Sequence, residues 1–570
     1  MSIRDQLSIE RRQLKNEGLI PEWMTTDGWG FFKQKYMYEA TSYREQIKRI
    51  ARTAAKYTND PKEWEAKFFN LFWKGWLSPS TPILSNMGTE RALSVSCSGG
   101  YIADSINGFY SHQKEIALLT QEGFGTSGYM GDIRARGSKI SRGGEASGVL
   151  PVFKMLVQTM RDVAQNTRRG SWAGYLEIDH GDFDEIADFV KDNPDDANIG
   201  WNVSDAFIAR LDAQDPDAIR RYQKMLKLKM LTGKGYIFKP DSVNRANPAM
   251  YKDLGLSVKA SNLCSEIALH SGLAYDLATG KNEHFTYTCV LSSMNILHFD
   301  AWKDTDAVFE ATVFLDCVAQ DFIEKGRKIK GLAAAVRFTE KSRALGLGAM
   351  GFHSYLQKNS IPFESLDANF KNQEIFKHIH DESLRASQWM AKEWGEPEWC
   401  VGYGVRNTHR TAIAPTMSTA TIMGGASQGI EPFYGNAFVK DSNAGAIDII
   451  NPQFYTIMKA RGKYTRKLVK DIADHHGSVQ HLDWLTDHEK LVFKTAFEIN
   501  QEVIIRLAAI RQRYICQSQS LNLFFSANES EEYISRMHKL ALKDDRIKSL
   551  YYVRSSSGVA ASTGECISCM

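Results

Sequence analysis

Apolar side chains recur at intervals of three and four residues along several stretches of the chain, the spacing that puts them on one helix face. Residues 43–57 carry few helix breakers, and Trp64, Phe68, Phe69, Leu71, Phe72 and Trp73 cluster at that spacing. The first 75 or so residues therefore read as helical, and Pro79 and Pro82 interrupt the pattern. Pro151 suits the first turn of a helix carrying Phe153, Met155, Leu156, Met160 and Val163. Phe309, Val313, Phe314, Cys317, Val318 and Phe322 predict another buried helix face. Leu491, Phe493, Phe497, Ile499, Val503 and Ile504 predict a third. Between these lie short extended candidates at 94–104, 174–178, 285–291 and 411–414. Helices alternating with short strands argue for an α/β fold around a large central sheet or barrel.

Composition narrows this picture. At 570 residues the chain can build one large core with appendages. Its net charge of +3 gives no electrostatic case for a nucleic-acid polymer or an acidic membrane surface. No apolar run approaches the ~18 residues of a membrane helix. The N-terminus enters charged sequence without a signal-peptide core. Eight cysteines are few for the length, which disfavours a secreted disulfide scaffold. The expectation is a cytoplasmic protein whose cysteines are either buried or working thiols.

Cys566-Ile567-Ser568-Cys569 stands one residue from the end, behind a small-residue stretch at 555–564. A CxxC can be half a zinc site, a thioredoxin-type motif or a dithiol on a tether, and it can be accidental. Zinc would need a second ligand pair nearby, and a thioredoxin motif would open a helix after a strand. The tethered dithiol leads. Residues 553–565 would reach ~20 Å as a flexible coil, enough to enter a pocket, exchange disulfides and swing out to a reductant. Cys317, Cys400 and Cys516 read as structural. Cys97, Cys264 and Cys289 have polar neighbours and lie on no apolar stripe. Asn262 and Glu266, two residues either side of Cys264, can share one side of an extended loop with it. That would be a nucleophile or radical centre with a base beside it.

Together, Cys97, Cys264, Cys289, the terminal pair and Tyr551-Tyr552 resemble the large catalytic subunit of class I ribonucleotide reductase. Further matching segments are Pro79-Ser80-Thr81-Pro82, Arg134-Ala135-Arg136-Gly137-Ser138, Arg343-Ala344-Leu345-Gly346-Leu347-Gly348, Thr411-Ala412-Ile413-Ala414-Pro415-Thr416, Gly429-Ile430-Glu431-Pro432 and Gln517-Ser518-Gln519-Ser520-Leu521-Asn522-Leu523. The resemblance implies a helical region at 1–76, a ten-stranded α/β barrel with a central finger loop at 77–550, and a flexible redox tail at 551–570. It implies that Cys264 carries a transient thiyl radical, that Glu266 is the base on the ribose 3′ hydroxyl and that Asn262 holds the ribose hydroxyls. Cys97 and Cys289 would reduce the 2′ carbon and become a disulfide, which Cys566 and Cys569 would reset. Tyr551 and Tyr552 would relay the radical from a separate metal-bearing small subunit. Thr81 and Ser96 fall at substrate-contact positions, and Thr416, Ser418 and Thr419 in a phosphate-binding loop.

The resemblance also implies ribonucleoside diphosphate substrates, a thioredoxin or glutaredoxin reductant and a homodimer. No cofactor or metal bound directly by this chain is expected. Asp104, Ser105, Arg134 and Arg169 are the candidate site for a dNTP or ATP specificity effector. The N-terminal ATP cone of many relatives is not apparent, so no overall-activity switch is expected. A compact chain of this kind suits a viral genome, which would place it in the host cytoplasm. Met417 stands where the family commonly has glycine, and 411–431 looks as much like the adenosylcobalamin-dependent class II branch. That branch is the alternative. Two GxGxxG matches, at 123–128 and 346–351, read as tight turns or close packing, because neither opens a βαβ unit with a suitably placed acid. His475, His476 and His481 read as solvated.

Overall fold

The helical beginning consists of Ile3–Asn16, Thr26–Lys35, Tyr43–Ala55 and Pro61–Trp73. Ser42 and Asp60 start the last two by accepting the N–H groups of Glu45 and Glu63, and Pro61 supplies a first-turn residue that needs no N–H partner. Phe68 and Phe72 pack edge-on against Phe314 at 5.3 and 5.0 Å, which fixes this layer on the following domain. The computed structural model describes residues 3–95, 97–141, 143–163, 170–277, 279–442 and 445–556.

The described strands, in chain order, are β1 (Leu77–Pro79), β2 (Cys97–Tyr101), β3 (Gly125–Tyr129), β4 (Trp172–Glu177), β5 (Asn198–Asn202), β6 (Tyr236–Phe238), β7 (Gly272–Asp276) and β8 (Lys281–Phe285). They continue as β9 (Tyr287–Thr288), β10 (Leu291–Asn295), β11 (Gly346–Met350), β12 (Ala437–Ser442), β13 (Gly445–Ile450), β14 (Leu523–Phe525), β15 (Ser549–Leu550) and β16 (Val553–Ser555). One wall is a seven-stranded sheet in the order β15-β6-β5-β4-β3-β2-β9. Its inner strands β2 to β6 are all parallel, joined by helical crossovers. The facing wall is the three-stranded sheet β1-β10-β11. It is prolonged by parallel bridges from Leu347 to Thr411 and from Ile413 to Gln519.

Two segments close these walls into the α/β barrel expected from the sequence. Only Cys289 and Val290 separate β9, on the first wall, from β10, on the second. On the opposite side β15 pairs with β6, while the Ser549 hydroxyl donates to the Gln519 carbonyl (2.9 Å) and the Tyr551 N–H to the Leu521 carbonyl (2.8 Å). Small residues in the strands make room for rings inside. A Cβ at Gly99 would come within 2.1 Å of Tyr287, and one at Gly200 within 2.2 Å of Tyr175. The two GxGxxG matches fall on β3 and β11, where glycine serves close packing: a Cβ at Gly348 would meet the Ala412 carbonyl at 2.6 Å.

The helices predicted from Pro151 to Val163 and over 309–322 are present as Val149–Asp162 and Ala307–Gly326. The third predicted face, 491–504, is not one helix. Asp487–Val492 ends, and Gln501–Arg511 starts afresh. Side chains compete for the backbone between them: the Glu498 carboxylate accepts the Thr495 N–H (2.7 Å), and Asn500 caps the second helix through the Glu502 N–H (3.0 Å). Leu491 consequently faces solvent while Phe493 and Ile499 are buried.

Candidate active site

Residues 259–270 run through the barrel interior, and both walls hold them by hydrogen bonds. From the parallel wall, Ser127 on β3 donates to the Ser261 carbonyl (2.8 Å), Tyr175 on β4 to that of Asn262 (2.7 Å) and Asn202 on β5 to that of Lys259 (2.8 Å). Burial drives the Tyr175 phenol far above its ordinary pKa, so it remains a donor. From the facing wall, the Ser518 N–H donates to the Glu266 carbonyl (2.9 Å), and the Gln517 side chain accepts the Ala268 N–H (3.1 Å). Ser520 donates to the Cys264 carbonyl at 2.6 Å, and its Oγ is 3.2 Å from a Glu266 carboxylate oxygen. At the closure, Ser549 on β15 shares its hydroxyl proton between the Gln519 carbonyl and that of Ser265, each at 2.9 Å. Ser265 has φ +67°, a left-handed conformation that side-chain-bearing residues rarely adopt. It lies between Cys264 and Glu266 and turns the loop so that both line the same cavity.

That cavity also takes Cys97, Cys289, Asn262, Thr81, Thr416, Ser418 and Thr419. Cys97 and Cys289 come from neighbouring antiparallel strands. Ser98 pairs with Thr288, so the register sets Cys97 opposite Cys289, and the Cys289 N–H donates to the Cys97 carbonyl (3.0 Å). Such a pair has Cα atoms about 5.5 Å apart, within the ~4.4–6.8 Å span that a disulfide bridges. The Asn262 carboxamide donates to Cys97 Sγ at 3.3 Å. One-electron and two-electron sulfur chemistry can therefore share one pocket.

Tyr551 approaches from the closing strand. Its hydroxyl lies 3.6 Å from Cys264 Sγ. The rings of Tyr551 and Tyr552 have centroids 3.9 Å apart, and Tyr236 flanks both at 5.1 and 5.8 Å. Tyr551 is buried and Tyr552 half-buried, with Arg554 over its ring at 4.5 Å. Asn522 fixes the Tyr552 backbone, accepting its N–H (2.8 Å) and donating to Glu431 (2.6 Å). Fully buried Lys229 donates to the Tyr551 carbonyl, and burial lowers its pKa to about 7. Tyr552 opens on a cleft of about 1250 Å³ shared with Tyr222, Leu226 and Met230.

Thr416 precedes the helix Met417–Ile422, and its hydroxyl accepts the Gly429 N–H (2.7 Å). Among the described residues no Lys or Arg lines the cavity, so an anion there would meet hydroxyls and backbone N–H groups. Thr81 contacts Tyr36 of the N-terminal helices, oxygen to oxygen at 3.3 Å. The effector candidates Asp104, Ser105 and Arg134 lie apart from the cavity. Arg134 pairs with Asp104 (2.5 Å), and Ser105 caps the helix Ile106–Gln121. Ser96, Arg169, Cys566 and Cys569 fall outside the described residues. His475 and His481 are exposed, as the sequence predicts for solvated histidines, and lie close to Asp471 on the surface.

Sequence reasoning missed Ser520, Ser127, Tyr175, Tyr236 and Lys229. Only the polar run Gln517-Ser518-Gln519-Ser520 carried a signal: four consecutive polar residues inside a stretch otherwise built like a strand.

Comparison with known proteins bears on this geometry. Residues 95–221, 213–399 and 398–553 match the ribonucleotide reductase barrel domain, and residues 25–92 its all-alpha domain. The chain is 35% identical over 528 residues to a Frog virus 3 (isolate Goorha) protein assigned as a ribonucleoside-diphosphate reductase large subunit, covering 89% of this chain and 90% of that one. It is 28% identical over 575 residues to a vitamin B12-dependent ribonucleoside-diphosphate reductase of Thermoplasma acidophilum, covering 93% of this chain and 69% of the relative. The Actinobacillus ureae class Id ribonucleotide reductase alpha subunit superposes with a TM-score of 0.85 at 38% identity, over 95% of this chain and 99% of the other.

Proposed function

The chain belongs to the ribonucleotide reductase large-subunit family, and on that premise we propose that it is the catalytic subunit of a ribonucleoside-diphosphate reductase working by thiyl-radical chemistry. The observation that carries this reading is the Tyr551 hydroxyl on Cys264 Sγ, above a cavity shared with Cys97 and Cys289. A phenol that can lose an electron and a proton together, touching a buried thiol, is what an externally generated radical needs as its last step. An adenosylcobalamin reaction, which would form its radical in the pocket, has no use for that phenol pair.

In this reading a metal-bearing small subunit docks beside Tyr552, at the large cleft, and supplies the oxidising equivalent. The Tyr551 phenoxyl takes the hydrogen atom of the Cys264 thiol, and the thiyl takes the ribose 3′ hydrogen. Glu266 accepts the 3′ hydroxyl proton while Asn262 orients the hydroxyls. The 2′ oxygen leaves as water. Cys97 and Cys289 give two electrons and two protons to the sugar and join as a disulfide. Cys264 returns its hydrogen to the 3′ carbon. The tail dithiol of Cys566 and Cys569 then exchanges with the new disulfide and passes the electrons on from a thioredoxin- or glutaredoxin-type protein. Thr81, Ser96, Thr416, Ser418 and Thr419 hold the substrate, its diphosphate among hydroxyls and N–H groups. Asp104, Ser105, Arg134 and Arg169 form the effector site of a homodimer. The parts divide as 1–76, 77–550 and 551–570, with Tyr551–Ser555 packed into the barrel wall.

The test is a reduction assay with CDP and CTP, each tried with a small subunit and with adenosylcobalamin. The proposal expects dCDP only when the small subunit is present. Turnover by the chain with adenosylcobalamin alone would overturn it.

A further inference from the structure

Cys516 is a thiol that the reaction does not use. It is partly exposed and sits at the start of the wall segment whose Ser518 and Ser520 hold Glu266 and Cys264. Its surroundings set it apart from Cys317 and Cys400. Those two are buried among apolar groups, which pushes the Cys400 thiol up to about 12 and Cys317 well above its ordinary value. At Cys516 burial acts in the same direction, but it is outweighed by the charge of Arg410, the Thr411 hydroxyl and the backbone N–H groups of Arg410 and Thr411, so the thiol is held below its ordinary pKa. The geometry agrees: Thr411 Oγ1 lies 3.5 Å from Cys516 Sγ and accepts the Cys516 N–H (2.9 Å). Lys548 donates to the Cys516 carbonyl (2.9 Å), and a charge on the thiol favours the Lys548 ammonium.

A second observation points to a missing acceptor in this niche. Arg410 is 8% exposed, yet its buried Nε has no hydrogen-bond partner among the described residues. Its charge also bears on His380, whose buried Nδ1 likewise has none. Leaving a buried donor unmade costs about 1–3 kcal/mol. An oxygen carried on Cys516 Sγ would set an opposite partial charge near the Arg410 guanidinium, whose charge already acts on the thiol.

We infer that Cys516 is a peroxide-oxidised modification site, forming a sulfenic acid in the niche of Arg410 and Lys548. Sγ attacks one oxygen of hydrogen peroxide. The O–O bond breaks, an S–O bond forms, and hydroxide leaves. Sulfur loses two electrons and peroxide gains them. The sulfenic acid then lies one wall segment from the finger loop.

The experiment is peptide-resolved trapping with dimedone on the full, pre-reduced chain exposed to hydrogen peroxide. Cys516 is expected to label at least roughly tenfold faster than Cys400 and Cys317, and Arg410→Met to slow it severalfold. Labelling no faster than those two cysteines would overturn the inference. Should Arg410→Met melt early, iodoacetamide alkylation of the wild-type chain decides, because it reports the thiolate alone. An advantage of Cys516 over Cys400 of roughly tenfold supports the site, and parity overturns it.

Discussion

Replacing Ser520 by alanine separates positioning from mere stability. Ser520 is buried, and its hydroxyl donates to the Cys264 carbonyl at 2.6 Å beside the Glu266 carboxylate. Removing it deletes one short hydrogen bond and strands a buried carbonyl, a cost of about 1–3 kcal/mol. The neighbouring Ser265 at φ +67° already stores about 1–3 kcal/mol of strain, which the loop tolerates only because Tyr175, Ser520 and Ser549 hold it at the carbonyls of Asn262, Cys264 and Ser265. The loss therefore falls on the loop conformer and lowers its advantage over any relaxed one by roughly 5- to 150-fold. Spread over the unfolding entropy of the whole chain, the same energy moves Tm by only about 1–3 °C. A melting curve and a CDP-reduction assay on the holoenzyme are the measurements. The expected result is a kcat lower by about an order of magnitude with Tm nearly kept, and partial rescue in Ser520→Thr. Wild-type kcat in Ser520→Ala would refute the argument that the facing wall positions Cys264.

Other perturbations test other parts. Tyr551→Phe keeps the ring contact with Tyr552 but removes the hydroxyl on Cys264, so it abolishes product formation while the melt is preserved; turnover in this variant would remove Tyr551 from the path. Cys289→Ser blocks the disulfide between β2 and β9, so a single turnover without reductant leaves no Cys97 disulfide on peptide mapping, whereas the wild type shows it. Asp316 takes Arg343, Arg406 and Asn407 in one buried cluster, at 3.1, 2.9 and 3.0 Å. Asp316→Ala leaves two cations unpaired and costs about 3–5 kcal/mol in denaturant unfolding; a loss below ~1 kcal/mol would contradict the cluster's role. His353 is fully buried and accepts the Phe433 N–H, and burial lowers its pKa from 6.5 to about 3. Between these values the unfolded chain binds the extra proton, so stability falls as pH drops below 6.5, by up to ~1.4 kcal/mol per unit. His409 and His270 act in the same sense, so His353→Gln flattens the slope of Tm between pH 7 and 5 without removing it; an unchanged slope counts against the assignment.

The reactive residues were legible because their chemistry is rare. Few sequences place Asn262, Cys264 and Glu266 at alternate positions, with two further polar-flanked cysteines and a tyrosine pair. What supports them was not legible. Ser127, Tyr175 and Ser520 are ordinary strand residues whose importance lies in which carbonyl they reach, and that depends on barrel closure across more than 80 residues of sequence in each case. Lys229 is one basic residue among several on its helix, and its burial against the Tyr551 carbonyl depends on a segment more than 300 residues away. The error at 491–504 has a local cause. The apolar spacing was helical, but Glu498 and Asn500 offered the backbone a better arrangement through their own side chains. Cys516 was read as structural because its charged neighbours, Arg410 and Lys548, are remote in sequence and come together only across the wall.

The central claim is that Cys264 carries the radical to the substrate. Its most direct test is dCDP formation by the Cys264→Ala chain, assembled with the small subunit and a dithiol reductant. No product above background is expected while the small-subunit radical persists. Product at even a small fraction of the wild-type rate would contradict it.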